Sequence, residues 1–397
     1  MKYAIVIADG MADEPQDNLR GKTPVEAATI PNGDYVAVNG RLGTARTVPS
    51  GFDPGSDVAT LCLLGYDPVE YYTGRAPLEA ANLGLELGPE DWAFRCNLIT
   101  VSEGVLEDFT AGHIPDKEAR ALIDSLRAKL SDKVISFYSG NSYRNIMLYQ
   151  GQTEMTAKCV PPHDIIGMPI KEYMPHGNGS DILVGIMEDS QPILARHNIN
   201  LRRESLRESP ANMIWLWGQG KRPTIPKFCD KYGIATGAVI TAVDLIRGLC
   251  GAYLGWDVID VPGATGYLDT DYAAKGRYAV EALRDHDIVL VHVEAPDEAA
   301  HQGDAPEKVR AIENIDAHIL GPILEALKKH GDYRLLFLPD HYTIIQKKTH
   351  SDDPVPFAIC GTRIEPASHL TFSETNAIAT GFRFNKGHEL MRYFLTG

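Results

Sequence analysis

Three short β-branched runs constrain the fold of this chain more than any other feature: Tyr3–Ala8 (YAIVIA), Asp287–Val293 (DIVLVHV) and Tyr333–Leu338 (YRLLFL). Helical patterns such as Asp271–Arg284 and Glu307–Lys329 lie between them. That alternation predicts an α/β fold, a mainly parallel sheet flanked by helices. Each run is followed by an acid: Asp9, then Asp297 four residues past its run, then Asp340 with His341. Ligands of open α/β sheets bind outside the carboxyl ends of the strands, so these groups are expected along one sheet edge.

Between these runs the texture changes. Short strands, hairpin-like turns and clustered Pro and Gly predict a smaller α+β domain over 96–214, inserted into a core of 1–95 and 215–397. The 397 residues, 44% hydrophobic and 23% charged, suit a globular protein with a substantial core. A formal net charge of -15 and the lack of any dense basic run argue against nucleic acid as a partner. The amino-terminal MKYAIVIADGMADEP reads as neither a secretory signal nor a membrane span, and the six cysteines show no CxxC. A cytoplasmic, disulfide-free protein with no membrane partner is expected. Gly220-Lys221 is not a P-loop, because Trp215 and Arg222 stand where that loop wants glycine and a hydroxyl.

The acids have histidine companions. Asp297 and His301 are four apart, which on a helix places them on one face, either as a surface ion pair or as two ligands of one cation. Asp340 and His341 are adjacent and can serve neighbouring cations, while His350 precedes a turn and taken alone reads as an exposed loop histidine. With Asp9, followed by the permissive Gly10, they supply three carboxylates and three imidazoles, a donor mixture suited to zinc or manganese. Ser56, in GFDPGSDVATLCLLG, sits where a turn enters a helical pattern and reads first as an N-cap. A helix N-terminus also stabilises an adjacent anion, and a pair of divalent ions orients a phosphoryl group for in-line attack. Ser56 is therefore the candidate nucleophile.

The ordered set Asp9-Gly10, Gly55-Ser56-Asp57, Asp297-x-x-x-His301, Asp340-His341 and His350 resembles the alkaline phosphatase superfamily of metalloenzymes, and within it the cofactor-independent phosphoglycerate mutases of the archaeal type. The resemblance extends through Gly74–Glu79, Ala111–His113, Tyr143-Arg144, Pro161–Asp164, Ala238–Arg247 and Pro262–Gly266, nearly the whole chain. It implies an alkaline-phosphatase-like core and two divalent ions, Mn2+ or Zn2+, with Mg2+ and Co2+ as further candidates. Asp9, Ser56, Asp340 and His341 would hold one ion, and Asp297, His301 and His350 the other. The implied reaction moves phosphate from the 3- to the 2-position of a phosphoglycerate through a phosphoserine, without nucleotide or bisphosphoglycerate. The implied partner is thus a small phosphorylated carboxylate. Arg144, in the inserted domain, and Arg75, in the loop after the serine helix, are expected to grip its anionic ends. His113 matches a histidine that contacts the transferring phosphate, and His163-Asp164 would orient substrate or form a buried structural pair. Phosphoryl transfer to another acceptor such as homoserine, a metal-dependent phosphatase, and a non-catalytic binding protein are the alternatives.

Overall fold

The computed structural model describes residues 1–397, which divide into two compact units, 1–72 with 225–397, and 73–224. The first contains an eight-stranded sheet. Its five consecutive parallel strands are Tyr333–Leu338, Lys2–Ala8, Ile288–Val293, Gly237–Ile240 and Asp257–Val258. Val355–Gly361 and Gly40–Ala45 extend it by antiparallel pairing, and Arg383–Phe384 closes that edge. The three β-branched runs are therefore direct neighbours at the centre. Burial on both faces explains why they read as continuous apolar stretches rather than alternating ones.

Helices Tyr272–Asp285, Ala305–Ile315 and Gly321–His330 contribute Ala279, Ile312 and Leu324 to the core that also holds Val6, Val291 and Leu335. The register pairs Ala8 with Val293 and Ile7 with Leu338. Asp9 and the residues that follow the other two strands consequently emerge at the same end of the sheet.

The second unit is α+β. Trp92–Ser102 is its longest strand and pairs antiparallel with Val105–Asp108, Arg144–Tyr149 and Met213–Lys221, while Ile135–Asn141 pairs with Arg144–Tyr149. Helices Asp116–Leu130 and Ser180–Ala195 bury Leu122, Leu126, Leu183 and Met187 against Phe94, Phe137 and Trp215. The unit is wider than the expected 96–214. Cuts at 95/96 and 214/215 would sever the strands Trp92–Ser102 and Met213–Lys221, which pair with one another. Helix Arg75–Asn82 also belongs here, because Ala76 and Ala80 bury against Leu87, Ala93, Ile146 and Leu148. All six cysteines are free thiols, and no helix is long and apolar enough to cross a membrane.

Candidate metal centre

At the carboxyl edge of the parallel sheet six of the seven expected ligands fall into two groups. Asp297, His301 and His350 bring one ligand atom each to within 4.8 Å of one another, and so do Asp9, Asp340 and His341. Helix Ala295–Gln302 starts just after the Ile288–Val293 strand, so its first and second turns present Asp297 and His301 on one face. His350 does not lie in a loop. It occupies the short strand Thr349–Ser351, opposite Thr343 of Tyr342–Ile344, and its imidazole is thereby fixed beside the helix.

Hydrogen bonds define which ring nitrogens face inward. His301 Nδ1 donates to the Lys348 carbonyl at 2.9 Å and His350 Nδ1 to the Pro54 carbonyl at 3.1 Å. Their Nε2 atoms then lie 3.0 Å apart, with Asp297 Oδ2 3.2 Å from the first and Oδ1 3.4 Å from the second. Two nitrogens and a carboxylate converging in this way require positive charge between them. In the absence of a cation a proton supplies it: burial lowers the His301 pKa, but Asp297 outweighs burial and pushes it up to about 9. A divalent cation satisfies the same three atoms by displacing that proton.

In the second group, His341 Nε2 is 3.4 Å from Asp9 Oδ1 and 3.5 Å from Asp340 Oδ2. Burial, with His350 and His301 nearby, pushes the His341 pKa down to about 4, which leaves a neutral imidazole at neutral pH. Burial also raises Asp9 well above the ordinary carboxylate range, and the charges of Asp340 and Asp297 add to it. Asp9 Oδ1, Asp340 Oδ2 and His292 Nε2 are buried within ion-pair reach of their neighbours yet make no hydrogen bond. Orphaned carboxylate oxygens beside a neutral imidazole fit a divalent cation.

Ser56 joins this group, its Oγ 3.3 Å from His341 Nε2. It is not the N-cap. Gly55 takes that position in extended backbone, and Ser56 is the first residue of helix Ser56–Leu63, so its hydroxyl is available to the group instead of capping the helix.

The five residues expected to grip substrate all lie in the second unit, linked by a chain of ring contacts. His113 meets Tyr143 edge-on, Tyr143 meets Phe109, Phe109 meets His163, and His163 meets Trp217 at 5.4 Å between centroids. Arg144 stacks on Tyr143 at 5.2 Å and Arg75 on Trp217 at 5.5 Å. Arg75 is not in a loop of the core; it begins helix Arg75–Asn82. His163 and Asp164 are 3.8 Å apart and about half exposed, so they are not a buried structural pair.

One cation of this cluster escaped the sequence reading. Arg95, buried, stacks on Trp217 at 4.7 Å and pairs with Glu79 at 3.1 Å. Burial lowers its pKa and the nearby Arg75 and Arg144 add to that, while Glu79 opposes it. A guanidinium inside the apolar run WAFRCNLITV was the available signal.

The sequence model described as 2,3-bisphosphoglycerate-independent phosphoglycerate mutase matches residues 37–200. The 2,3-bisphosphoglycerate-independent phosphoglycerate mutase of Methanothrix thermoacetophila is 50% identical over 100% of both chains. The chain belongs to this mutase family. Among solved structures, a protein from Pyrococcus horikoshii matches with a TM-score of 0.81 and 30% identity, over 99% of this chain and 96% of that one. The cofactor-independent phosphoglycerate mutase of Thermoplasma acidophilum matches with a TM-score of 0.65 and 28% identity, over 100% and 99%.

For a member of this mutase family, the residues behind the two acid–histidine groups are as informative as the groups themselves. His292, buried in its strand, places Nε2 3.6 Å from Asp9 Oδ2 and 3.7 Å from Asp340 Oδ2. Its Nδ1 faces Glu294 at 3.5 Å, and Glu294 pairs with the fully buried Lys275 at 2.9 Å. Sequence reading absorbed His292 into the apolar run DIVLVHV, and Lys275 into a helix face.

Proposed function

We propose that this chain interconverts 3-phosphoglycerate and 2-phosphoglycerate, a glycolytic isomerisation, with Ser56 as the nucleophile. The observation that carries the reading is the Ser56 hydroxyl 3.3 Å from His341 Nε2, within the Asp9–Asp340–His341 group. Asp9, Ser56, Asp340 and His341 would hold one divalent ion, and Asp297, His301 and His350 the other, with Mn2+ or Zn2+ favoured and Mg2+ or Co2+ as alternatives. When bound, such ions lower the pKa of a hydroxyl, orient a phosphoryl group and offset charge on the attacking and leaving oxygens.

The chain's own residues then do the following. Ser56 Oγ attacks phosphorus and loses its proton, the bond from phosphorus to the 3-oxygen breaks, and that oxygen gains a proton. Attack by the glycerate 2-oxygen on the phosphoserine reverses the exchange and frees Ser56. The helix that Ser56 begins directs its first backbone N–H groups toward the transferring anion. In the second unit, Arg75, Arg95 and Arg144 provide guanidinium forks for an anionic end of the substrate, with His113, His163 and Asp164 lining the same cluster. Free thiols throughout suit a cytoplasmic location.

The test is a coupled assay of 3- to 2-phosphoglycerate conversion with Mn2+, alongside acid-quenched mass spectrometry of the enzyme. Turnover and phosphate on Ser56 are expected, both abolished in Ser56→Ala. Phosphate release without isomerisation, or turnover only with another acceptor such as homoserine, would overturn the assignment.

A further inference from the structure

Thr343 is fully buried between the two ligand groups and touches both. Its Oγ1 lies 2.5 Å from Asp297 Oδ1 and 3.2 Å from His341 Nδ1. A carboxylate only accepts, so the single hydroxyl hydrogen goes to Asp297. Oγ1 must then accept from His341 Nδ1–H, which sets the tautomer that turns the His341 Nε2 lone pair toward Asp9, Asp340 and Ser56. One hydroxyl thus orients a ligand in each group.

The surroundings are built to hold it there. Thr343 N donates to the Ala12 carbonyl at 3.2 Å, and the buried Lys308 donates to the Thr343 carbonyl at 2.7 Å. On the paired strand Thr343 stands opposite His350, a third ligand. Gly10, at φ +59°, leaves the space that the contact occupies: a Cβ there would meet Thr343 Oγ1 at 2.3 Å and Asp297 Oδ1 at 2.6 Å. The glycine after Asp9 is therefore required by the threonine as much as by the turn.

We propose that Thr343 is a positioning residue shared by the two cation sites, fixing Asp297 of one and His341 of the other through a single hydroxyl. This rests on reading the two groups as cation sites. Removing the hydroxyl leaves the Asp297 oxygen and the His341 N–H without their partner, so both sites weaken together.

The experiment is titration of the metal-stripped full chain with Mn2+, counting bound ion by electron paramagnetic resonance and measuring affinity by calorimetry. Wild type should bind two equivalents. Thr343→Val, similar in shape but without the hydroxyl, should lose about 10- to 100-fold in affinity at both sites, and Thr343→Ala the same, while Thr343→Ser should restore both. The alanine variant carries the test if valine fails to fold. Wild-type affinity in the valine or alanine variant, weakening at one site alone, or failure of serine to restore binding would overturn the shared role. Fewer than two equivalents in wild type would overturn the two-site reading itself, and this inference with it.

Discussion

The carboxylate of Asp57, the residue after Ser56, accepts the phenolic hydrogen of Tyr72 at 2.5 Å. Asp57 is buried in the first turn of helix Ser56–Leu63, where a negative charge complements the helix dipole, and Tyr72 packs edge-on against Phe52. The bond ties the turn that presents Ser56 to Tyr72, sixteen residues further along the chain. Tyr72→Phe should lower stability by about 1.5–3 kcal/mol, the worth of a hydrogen bond to a charged group, read as a denaturant midpoint shift. Because the Ser56 turn loosens with it, kcat should fall while KM stays near wild type. A fall in stability with unchanged kcat would show that the pair serves the fold alone.

Asp9 links metal content to pH. Burial, then Asp340 and Asp297, raise its pKa in the folded chain. A carboxyl with a raised folded pKa keeps its proton longer when folded than when unfolded, so its contribution to stability is fully present below about pH 4 and is lost as pH rises toward the folded value. Asp9→Asn removes that loss. In chelator, the variant should unfold at a higher temperature than wild type at pH 8, with the difference shrinking toward pH 4. With Mn2+ present the order should reverse, since only wild type keeps the ligand. Equal pH dependence of the two metal-free proteins would contradict the assignment of strain to Asp9.

The two acid–histidine groups were legible because acids and histidines interrupt apolar runs at strand ends, where an α/β sheet puts its chemistry. Thr343 was not, because a single hydroxyl three residues after Asp340 has no periodic signature; its role depends on Asp297, distant in sequence. Ser56 read first as a cap, and as a nucleophile only beside the acids and histidines, because sequence alone does not tell Gly55 from Ser56 as the residue that precedes the helix. The unit boundary was displaced for a related reason. Helix Arg75–Asn82 packs against Ala93 and, far along the chain from it, Ile146 and Leu148 of the paired strand, and only the folded packing reveals it.

Lys275 and Glu294 form a buried ion pair at 2.9 Å, and Glu294 also accepts from Thr241 Oγ1 at 3.1 Å and the Ala242 N–H at 2.9 Å. Burial alone would raise the Glu294 pKa, yet Lys275 and His292 together hold it well below the ordinary range. Lys275→Met strands a charged carboxylate behind His292 and should cost about 3–5 kcal/mol in urea unfolding. Adding Glu294→Gln should recover part of that loss, because no uncompensated charge then remains. Strict additivity of the two substitutions would mean that the pair is not coupled.

Glu374 offers the cleanest pH signature away from the two acid–histidine groups. It begins helix Glu374–Ala379, buried, with Oε2 accepting from Thr23 Oγ1 at 2.8 Å and Oε1 from the Asp13 N–H at 3.2 Å. Burial dominates these bonds and the nearby Lys308, and raises its pKa from 4.5 to about 7. The sign follows from the raised value: the folded state binds the proton more tightly than the unfolded chain, so this group's contribution is complete below pH 4.5 and disappears as pH rises through about 7. The full swing is roughly 3 kcal/mol. Glu374→Gln keeps the shape and removes the titration. Its stability relative to wild type should therefore rise between pH 5 and pH 8 by an amount approaching that swing, measured as guanidinium midpoints at the two values. Midpoints that move in parallel for the two proteins would show that Glu374 stays ionised in the fold, and its burial would then have to be offset by Lys308.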